Sequence, residues 1–423
     1  MRSGALLTVL VAVVIILAGS GTLWPSRAVS RDRISPAIPG AVALPLSGLS
    51  APERPRRLVG PLVRHVKARL GRVSVALIEG EPDSRNVGRG YAWNWSFEAR
   101  AAITLYGITK DRTLIEGVLA GIRAYRQAAA LHAGIDGFGW YTRDPGRGTL
   151  YREVTVAGLV VAPMVELLEA ARRDPALERL VAGEREAILD TAVRGIAGLE
   201  RLYRRDGDNG FFLIAEGARH GGRVEPINRM GILAAQLFGL ADLAGRDDYR
   251  EMAEGVARTM KAAATVNGNG TMSWPYWPEP GHMQGPAENF WKASVSIELA
   301  LAAYRAGSVF SATDMARIAA IADRTLIVAD GAGGTRLRRT IDPGVARFRK
   351  FAGRDAKRVF ALGAWYRLSC FRPQIDEPLD RVLFGLDARF WKRFPRALNG
   401  LAERLANDLD PARCGERMAR LSP

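Results

Sequence analysis

One stretch of the sequence, residues 271–294, concentrates side chains that could bind and transform a sugar. It reads TMSWPYWPEPGHMQGPAENFWKAS and combines aromatic rings with carboxylates, a histidine and a lysine. Its closely spaced prolines exclude a helix or a central strand over most of its length, so we predict a loop. Large aromatic rings on a surface loop usually mark a binding site. Because sugar rings have flat apolar faces beside their hydroxyl groups, we expect the partner to be a carbohydrate.

Tryptophan is concentrated in loops of this kind and in the first residues that follow them. Six of the nine tryptophans lie there, and neighbouring positions add amide, guanidinium and phenol groups. The predicted substrate-binding residues are Trp93, Trp95, Trp140, Tyr141, Asn228, Arg229, Trp274, Trp277, Asn289 and Trp291. The alternative is that the tryptophan rings only fill the opening between helices.

Two kinds of chemistry are open to these loops. Hydrolysis of a glycosidic bond uses one protonated and one ionised carboxyl group, and Glu225 and Glu288 each precede an apolar helical stretch. Elimination or epimerisation of a uronate instead needs a cation or amide at the sugar carboxylate and a base for the C5 proton. The predicted catalytic residues for these two chemistries together are Glu225, Tyr276, His282, Glu288 and Lys292.

We expect no metal and no cofactor. Residues 206–210, DGDNG, resemble the start of a calcium loop, but the glutamate that would complete such a loop is missing.

The formal charge of +16 predicts attraction to nucleic acid, acidic lipid or acidic polysaccharide. Nucleic acid is not expected, because no zinc-finger, RNA-recognition or basic-zipper signature occurs. Most basic residues are mixed with acids, and one basic cluster is formed by Arg336, Arg338, Arg339, Arg347, Arg349 and Lys350.

A repeated helical hairpin is predicted to position these side chains. Gly245 is a typical helix stop, and Asp174-Pro175 and Ser311-x-x-Asp314 are typical helix starts. Alternation typical of a strand is rare and is clearest in residues 71–80. The first helices of successive hairpins are expected to begin near residues 95, 153, 226, 287 and 355.

The first helices, such as residues 153–170 and 226–245, are apolar on nearly all sides, which is typical of helices that are buried all round. The second helices are amphipathic and are expected to lie outside the first. An inner ring of helices within an outer ring is an α/α toroid. We therefore predict an all-α protein in which residues 59–423 form an incomplete or complete six-hairpin toroid. An open α-solenoid is the alternative.

The start of the chain is predicted to direct export. Residues 5–24 are uncharged and mostly apolar, so residues 1–24 are read as a signal peptide or a membrane anchor. Residues 25–58 are rich in proline, serine, glycine and arginine and are predicted to be a flexible linker. This organisation favours a periplasmic location in a bacterial cell envelope, with possible inner-membrane association through residues 5–24. Cys370 and Cys414 could pair there, although two buried thiols are the reading we favour.

Several segments between residues 91 and 325 carry a resemblance to a known group. They are the aromatic GWYTRD, EPINRMGILAAQLFGLADLAGRDDYREMAEGVARTM, the SWPYW loop, and AENFWKASVSIELALAAYRAGSVFSATDMARIA. Together they resemble bacterial proteins of the six-hairpin glycosidase-like (α/α toroid) group. That group is related to alginate- and heparin-type polysaccharide lyases and to the catalytic domain of glucuronyl C5-epimerases. The resemblance implies binding of an acidic polysaccharide, with its cleavage or epimerisation.

One position departs from the pattern of that group. Its members read Glu-Asp-x-Ser-His after the aromatic loop, whereas this chain has Asn289 in place of the aspartate and Lys292 in place of the histidine. If that histidine is catalytic in the group, this chain uses another base or has lost the activity. The alternative function is therefore a non-catalytic polysaccharide-binding component of an exopolysaccharide synthesis or export system.

Overall fold

The computed structural model describes residues 54–79, 87–131, 142–143, 150–278, 286–329, 335–345, 348–349, 356–384 and 395–409. The described residues all belong to one compact unit, which lies within Gly40–Pro423. The predicted export segment 1–24 and most of the predicted linker lie outside the described part and stay predictions.

The described residues are mostly helical, which confirms the all-α class. The α-helices are α1 Arg54–Glu79, α2 Val87–Thr109, α3 Arg112–Leu131, α4 Val154–Ala171, α5 Pro175–Val181, α6 Arg185–Ile196, α7 Ile227–Ala244, α8 Asp247–Ala263, α9 Phe290–Arg305, α10 Ala312–Ala319, α11 Ala356–Val359, α12 Asp376–Phe384 and α13 Pro395–Leu409. Short 3₁₀ helices span Ala182–Glu184, Glu200–Leu202, Phe360–Leu368 and Pro373–Ile375, and Ala322–Leu326 forms a π-helical turn.

The strands are short and antiparallel. They are β1 Thr142–Arg143, β2 Leu150–Tyr151, β3 Tyr203–Asp206, β4 Asn209–Phe212, β5 Thr265–Val266, β6 Met272–Ser273, β7 Ile327–Ala329, β8 Thr335–Arg338 and β9 Phe348–Arg349. Strands β1–β2, β3–β4 and β5–β6 form two-stranded pairs, and β7–β8–β9 form a three-stranded sheet. Asp206 pairs with Asn209, so the DGDNG segment that resembled a calcium loop is the turn between β3 and β4.

Six helices pack against one another in sequence, and we call them the core helices. They are α2, α4, α7, α9, the 3₁₀ helix Phe360–Leu368 and α13, each of which packs on the next, and α13 packs again on α2. Their hairpin partners lie against them: α3 on α2, α6 on α4, α8 on α7, and α12 on the 3₁₀ helix.

Burial of the core helices follows from their composition. Most residues of α4 and α7 are buried, as their apolar character predicted. Among the described helices, α4 has the length and apolar composition of a membrane span, but most of it is buried inside the protein. Gly158 of α4 allows the close approach of α7, because a Cβ there would lie 2.6 Å from the backbone nitrogen of Leu233.

Local capping signals define the helix boundaries where the sequence predicted them. Asp174 accepts hydrogen bonds from the backbone N–H groups of the first turn of α5, and Ser311 and Asp314 form a complete capping box at α10. Gly245 ends α7 with a left-handed φ of 65°.

Two expectations about elements were wrong. Helix α1 begins at Arg54, so residues 54–58 are helical rather than linker. The same helix continues to Glu79, so most of residues 71–80 is helical rather than strand-like. In both cases a long helix overrides the weak preferences of single residues, because helix formation is cooperative along the chain. The helix expected to begin near residue 355 begins at Ala356 and continues as the 3₁₀ helix Phe360–Leu368.

A network of buried ion pairs links five of the six core helices. Arg100 of α2 donates to Glu166 of α4 at 2.8 Å and to Glu298 of α9 at 2.9 Å. Arg367 of the 3₁₀ helix donates to Glu298 at 2.5 Å and to Glu403 of α13 at 3.2 Å. Because a buried charge needs a partner in a defined place, this network ties the relative positions of the helices together.

Cys370 is disulfide-bonded, and the chain has only one other cysteine, Cys414. Our expectation of two buried thiols was therefore wrong for Cys370. A disulfide is typical of proteins that fold in an oxidising compartment.

Candidate functional site

Three core helices begin close together without a side-chain cap. The N-cap residues of α4, α7 and α9 are Glu153, Pro226 and Asn289, and none makes a capping hydrogen bond through its side chain. The first N–H groups of a helix have no intrahelical acceptor, and the helix dipole adds positive potential there. This end of the core helices therefore favours anions.

The aromatic loop connects two of these helix starts. Its first segment, residues 274–276, pairs antiparallel with residues 286–288. The N–H of Tyr276 donates to Pro286 O, and the N–H of Glu288 donates to Trp274 O. The N–H of Ile227, the first residue of α7, donates to the carbonyl of Tyr276 at 3.1 Å. The loop is thus held by backbone hydrogen bonds at the beginnings of both α7 and α9.

Glu288 is completely buried beneath this loop. Its Oε2 atom accepts hydrogen bonds from Trp274 Nε1 at 2.5 Å and from Ser296 Oγ at 2.6 Å. Its Oε1 atom has no hydrogen-bond partner among the described residues. Burial raises the pKa of Glu288 to about 7, although the donors Ser296 and Trp274 and the charge of Lys292 lower it. Near neutral pH this carboxyl group therefore exists in both protonation states.

Glu225 has a similar environment at the start of α7. It is 1% exposed, and its backbone N–H donates to Phe212 O at 2.8 Å. Burial raises the pKa of Glu225 to about 7, against the charge of Arg229 and with a smaller contribution from Glu153. Arg229 Nη1 lies 3.4 Å from Glu225 Oε2. When Glu225 is protonated, the charge of Arg229 is left to interact with another anion.

Tyr276 and Lys292 are half-buried, and the charge of Glu288 acts on both of them. The Nζ atom of Lys292 is 3.4 Å from the centre of the Tyr276 ring. Burial, together with Glu288 and Glu225, raises the pKa of the Tyr276 phenol even though Arg229 lowers it. Burial lowers the pKa of Lys292, and the positive charge of Arg229 lowers it further, even though Glu288 raises it. The phenol therefore keeps its proton, and the amine loses its proton more easily than an ordinary lysine.

We call Glu225, Arg229, Tyr276, Glu288 and Lys292 the acid–base cluster. Two groups whose pKa values are displaced in opposite directions are typical of an acid and a base that work together. In this cluster the accessible pair is Tyr276 and Lys292, with Arg229 as the neighbouring cation.

Two of the predicted aromatic platforms lie beside the acid–base cluster and are partly exposed. The guanidinium of Arg223 is 4.9 Å from the centre of the Trp277 ring, and His220 contacts that ring edge-on at 6.1 Å. Trp291, in the first turn of α9, lies under Arg358 at 4.4 Å. Both rings keep part of their surface available for a ligand.

Two other predicted sugar platforms, Trp274 and Trp95, are buried and cannot stack on a ligand in this structure. Trp274 is 1% exposed and donates its ring N–H to Glu288, so it supports the site from within. Trp95 is 0% exposed and stacks on Tyr91 with ring centres 4.6 Å apart. Packing against neighbouring elements removes these two rings from solvent. Trp93 is partly buried, like Trp277 and Trp291, and its ring stacks on that of Phe97.

The remaining predicted residues differ in what can be said of them. Asn228 is buried at the start of α7, and its Oδ1 atom has no hydrogen-bond partner among the residues that the structure describes. Asn289 is partly exposed at the N-cap of α9. Trp140, Tyr141 and His282 lie outside the described residues. Within the described ranges, no group of three or more histidine, cysteine, aspartate and glutamate side chains could hold a metal ion.

Sequence reasoning did not include two arginines that the structure places beside the predicted residue Trp291. Arg339 and Arg358 both lie over Trp291. Arg339 belongs to the basic cluster noted in the sequence, which was the available signal. Arg358 follows Lys357 in a short helix, and we did not single it out from the sequence.

No protein-family model matches the chain, and no curated protein matches it. The function is therefore inferred from the geometry of the side chains.

Separate replacements of Trp274 and Trp277 by alanine should distinguish a structural role in the fold from a role in polysaccharide binding. Trp274→Ala leaves a core cavity and removes a donor from Glu288, so we expect a loss of about 3–5 kcal/mol in the free energy of unfolding. Trp277→Ala removes a half-exposed ring, so we expect nearly unchanged stability and about tenfold weaker polysaccharide binding. Urea unfolding and titration calorimetry measure the two effects. If Trp274→Ala unfolds at the same urea concentration as Trp277→Ala and the wild type, the structural role of Trp274 is contradicted.

Proposed function

We propose that the protein binds an acidic polysaccharide at the acid–base cluster and moves a proton at C5 of a uronate sugar, which leads to β-elimination or to C5 epimerisation. The observation that supports this function best is the contact of Lys292 with Tyr276 beside Arg229. These groups match the base, the acid and the carboxylate-neutralising cation that uronate chemistry needs.

In the proposed reaction Arg229 pairs with the uronate carboxylate, which makes the neighbouring C5–H bond more acidic. The neutral amine of Lys292 takes the C5 proton and becomes an ammonium ion. In elimination, the C4–O bond breaks, a C4–C5 double bond forms, and the Tyr276 hydroxyl protonates the leaving oxygen. Epimerisation instead requires that a proton return to C5 from the face opposite Lys292. Exchange with water then restores both side chains.

Hydrolysis is supported less well by this geometry. A glycosidase needs its acid to reach the glycosidic oxygen, whereas Glu288 is 0% exposed and Glu225 is 1% exposed. We assign these carboxyl groups a supporting role, in which their charge states modulate Lys292, Tyr276 and Arg229.

We infer that the core helices form the inner ring of an α/α toroid, because each packs on the next and the last packs on the first. The acid–base cluster then lies where the inner helices begin. This architecture agrees with the resemblance to six-hairpin glycosidase-like proteins, polysaccharide lyases and uronyl epimerases.

We infer a location in the cell envelope, periplasmic and possibly associated with the inner membrane. The uncharged residues 5–24 and the disulfide at Cys370 support it. The positive net charge suits an acidic glycan partner.

The second candidate function is a non-catalytic polysaccharide-binding component of a synthesis or export system. The replacement of the group's aspartate and histidine by Asn289 and Lys292 favours it. In that case Lys292 and Arg229 only hold the sugar carboxylates.

An exchange experiment in D₂O tests the proposal. The protein is incubated with a polyuronate and with its carboxyl-reduced neutral form, and C5 deuteration is followed by NMR while unsaturated products are followed by ultraviolet absorbance. We expect deuterium or unsaturation with the polyuronate alone. New reducing ends without either signal would indicate hydrolysis, and binding without any change would support the non-catalytic function.

A further inference from the structure

A cavity lies at the end of the core helices opposite to the acid–base cluster. Its volume is about 310 Å³, and it is lined by the last turns of α2 and α4, by Arg305 at the end of α9, by Arg367 and by α13. Helices α4 and α9 begin at the acid–base cluster and have 18 and 16 residues, so the cavity is about 25 Å from that cluster. Its volume is at the small end of the range for ligand-binding pockets. A ligand in this cavity would therefore be small and remote from the acid–base cluster.

The charged side chains that line the cavity balance one another. Among the described residues of the lining, four are basic and four are acidic, so their formal charges cancel. The Nζ atom of Lys110 lies 2.9 Å from Asp174 Oδ2, and Arg367 Nη2 lies 3.2 Å from Glu403 Oε1. A ligand with a large net charge would add an uncompensated charge to this balanced set. The lining thus favours a molecule whose own charges cancel.

Buried arginines on one side of the cavity offer hydrogen-bond donors. Arg367 lines the cavity and is 3% exposed, and its two Nη atoms donate to Glu298 and Glu403. Its Nε atom has no hydrogen-bond partner among the described residues, and the same holds for the Nη1 atom of the neighbouring Arg100. A buried donor without an acceptor costs free energy, which a carboxylate oxygen would offset.

The ends of the helices and Glu166 favour a cation. Helices α2, α4 and α9 end at this cavity, and the last carbonyl groups of a helix carry its negative dipole end. Glu166 of α4 lines the cavity, and its side chain is 26% exposed. Burial raises the pKa of Glu166, but the charges of Arg100 and Arg367 outweigh burial and lower it below the usual value. The carboxylate therefore stays ionised and matches an ammonium group.

These two requirements lie close together, beside an apolar surface. Arg367 Nη1 is 3.7 Å from Glu166 Oε1, so a ligand that contacts both residues needs opposite charges on neighbouring atoms. An α-amino acid carries its carboxylate and its ammonium group on one carbon. The rest of the lining includes Ile103 and Ile108 of α2 and Leu177 of α5. Hydrocarbon that is buried against these side chains is removed from water, which stabilises binding.

We propose that this cavity binds a free α-amino acid with an apolar side chain. The carboxylate of the amino acid accepts hydrogen bonds from Arg367, its ammonium group binds Glu166 and the helix carbonyl groups, and its side chain packs on the isoleucines of α2. The inference goes beyond the proposed function, because the cavity shares no residue with the acid–base cluster. A ligand that binds only the folded protein raises its melting temperature.

Thermal melting and titration calorimetry with free amino acids test this site. The probes are L-valine, L-leucine, L-isoleucine, L-methionine and glycine, together with L-leucine methyl ester and N-acetyl-L-leucine. We expect the apolar amino acids to raise Tm with increasing concentration, and glycine to bind at least about tenfold more weakly than leucine. The ester lacks the carboxylate and the acetylated form lacks the ammonium group. Each should therefore also bind at least about tenfold more weakly than leucine.

Variants that fill the cavity locate the binding. Gly107 lines the cavity at the end of α2, and a Cβ there meets nothing within 4 Å, so Gly107→Phe places a ring in open space. Ala170→Phe narrows the cavity from α4. The matched control is Gly183→Phe, because Gly183 is equally open but does not line the cavity. We expect the first two variants to weaken leucine binding at least about tenfold and the control to change it less than about twofold.

Three outcomes would overturn the proposal. The first is that none of the apolar amino acids raises Tm. The second is that the ester or the acetylated form binds as well as leucine, which would indicate a site for a simple cation or a simple anion. The third is unchanged leucine affinity in both Gly107→Phe and Ala170→Phe, with circular dichroism showing that they are folded. Polyuronate binding and C5 exchange are measured on the same variants and should not change, so failure here is distinguishable from failure of the proposed function.

Discussion

Replacing Lys292 by arginine should abolish C5 proton exchange while leaving polysaccharide binding nearly intact. Arginine keeps the positive charge but does not lose a proton near neutral pH, so it can hold the substrate and cannot act as the base. Loss of a positioned base costs about 10²–10⁴-fold in rate. Deuterium incorporation at C5 measures the loss, and calorimetry measures binding. Lys292→Met removes both functions, so it should also weaken binding.

The pH dependence of the wild type gives an independent test of this base. Burial and the neighbouring arginines lower the pKa of Lys292, so the reactive neutral amine forms at lower pH than for an ordinary lysine. The exchange rate should rise with pH until the amine is deprotonated. It should fall again where Tyr276 loses its proton, which the raised pKa of the phenol places at high pH. A fully active Lys292→Arg variant would show that another group is the base.

Replacing Arg367 by methionine should destabilise the folded protein by about 3–5 kcal/mol. Arg367 bridges Glu298 of α9 and Glu403 of α13, and its removal takes a cation from each of these two buried carboxylates, of which Glu298 keeps Arg100. The loss follows from the weaker compensation of these buried charges rather than from the strength of the ion pairs, since desolvation offsets much of that strength. Urea unfolding of the purified protein measures the change.

Arg381→Met is the matched control for this prediction. Arg381 pairs with Glu377 on the exposed face of α12, and such surface pairs contribute about 0–1 kcal/mol. The triple variant Arg367→Met/Glu298→Gln/Glu403→Gln removes the charges of Arg367 and of both its carboxylate partners. It should therefore recover part of the stability that Arg367→Met loses. If Arg367→Met unfolds at the same urea concentration as Arg381→Met, the network does not hold the core helices together.

The pairing of residues 274–276 with 286–288 shows why the role of Trp274 could not be predicted. The prolines of this loop were correctly read as excluding a helix, since that depends on proline itself. Burial of the Trp274 ring depends on Glu288 and Ser296, which approach it only after α9 is packed. An aromatic ring in a loop looks the same in the sequence whether it faces a ligand or the core.

The sequence by itself determined the helical class, the caps at Asp174 and Ser311, and the burial of α4 and α7. Capping and periodic apolarity act between residues a few positions apart, so the chain carries them locally. Tertiary structure alone decided that Arg339 and Arg358 share the ring of Trp291, and that Lys292 lies against Tyr276. Those contacts depend on pairing between residues 288–290 and 339–341 and on the packing of α7 against α9, which no local pattern encodes. The pKa shifts of Glu225, Tyr276, Glu288 and Lys292 follow from that packing, because burial and neighbouring charges exist only in the folded chain.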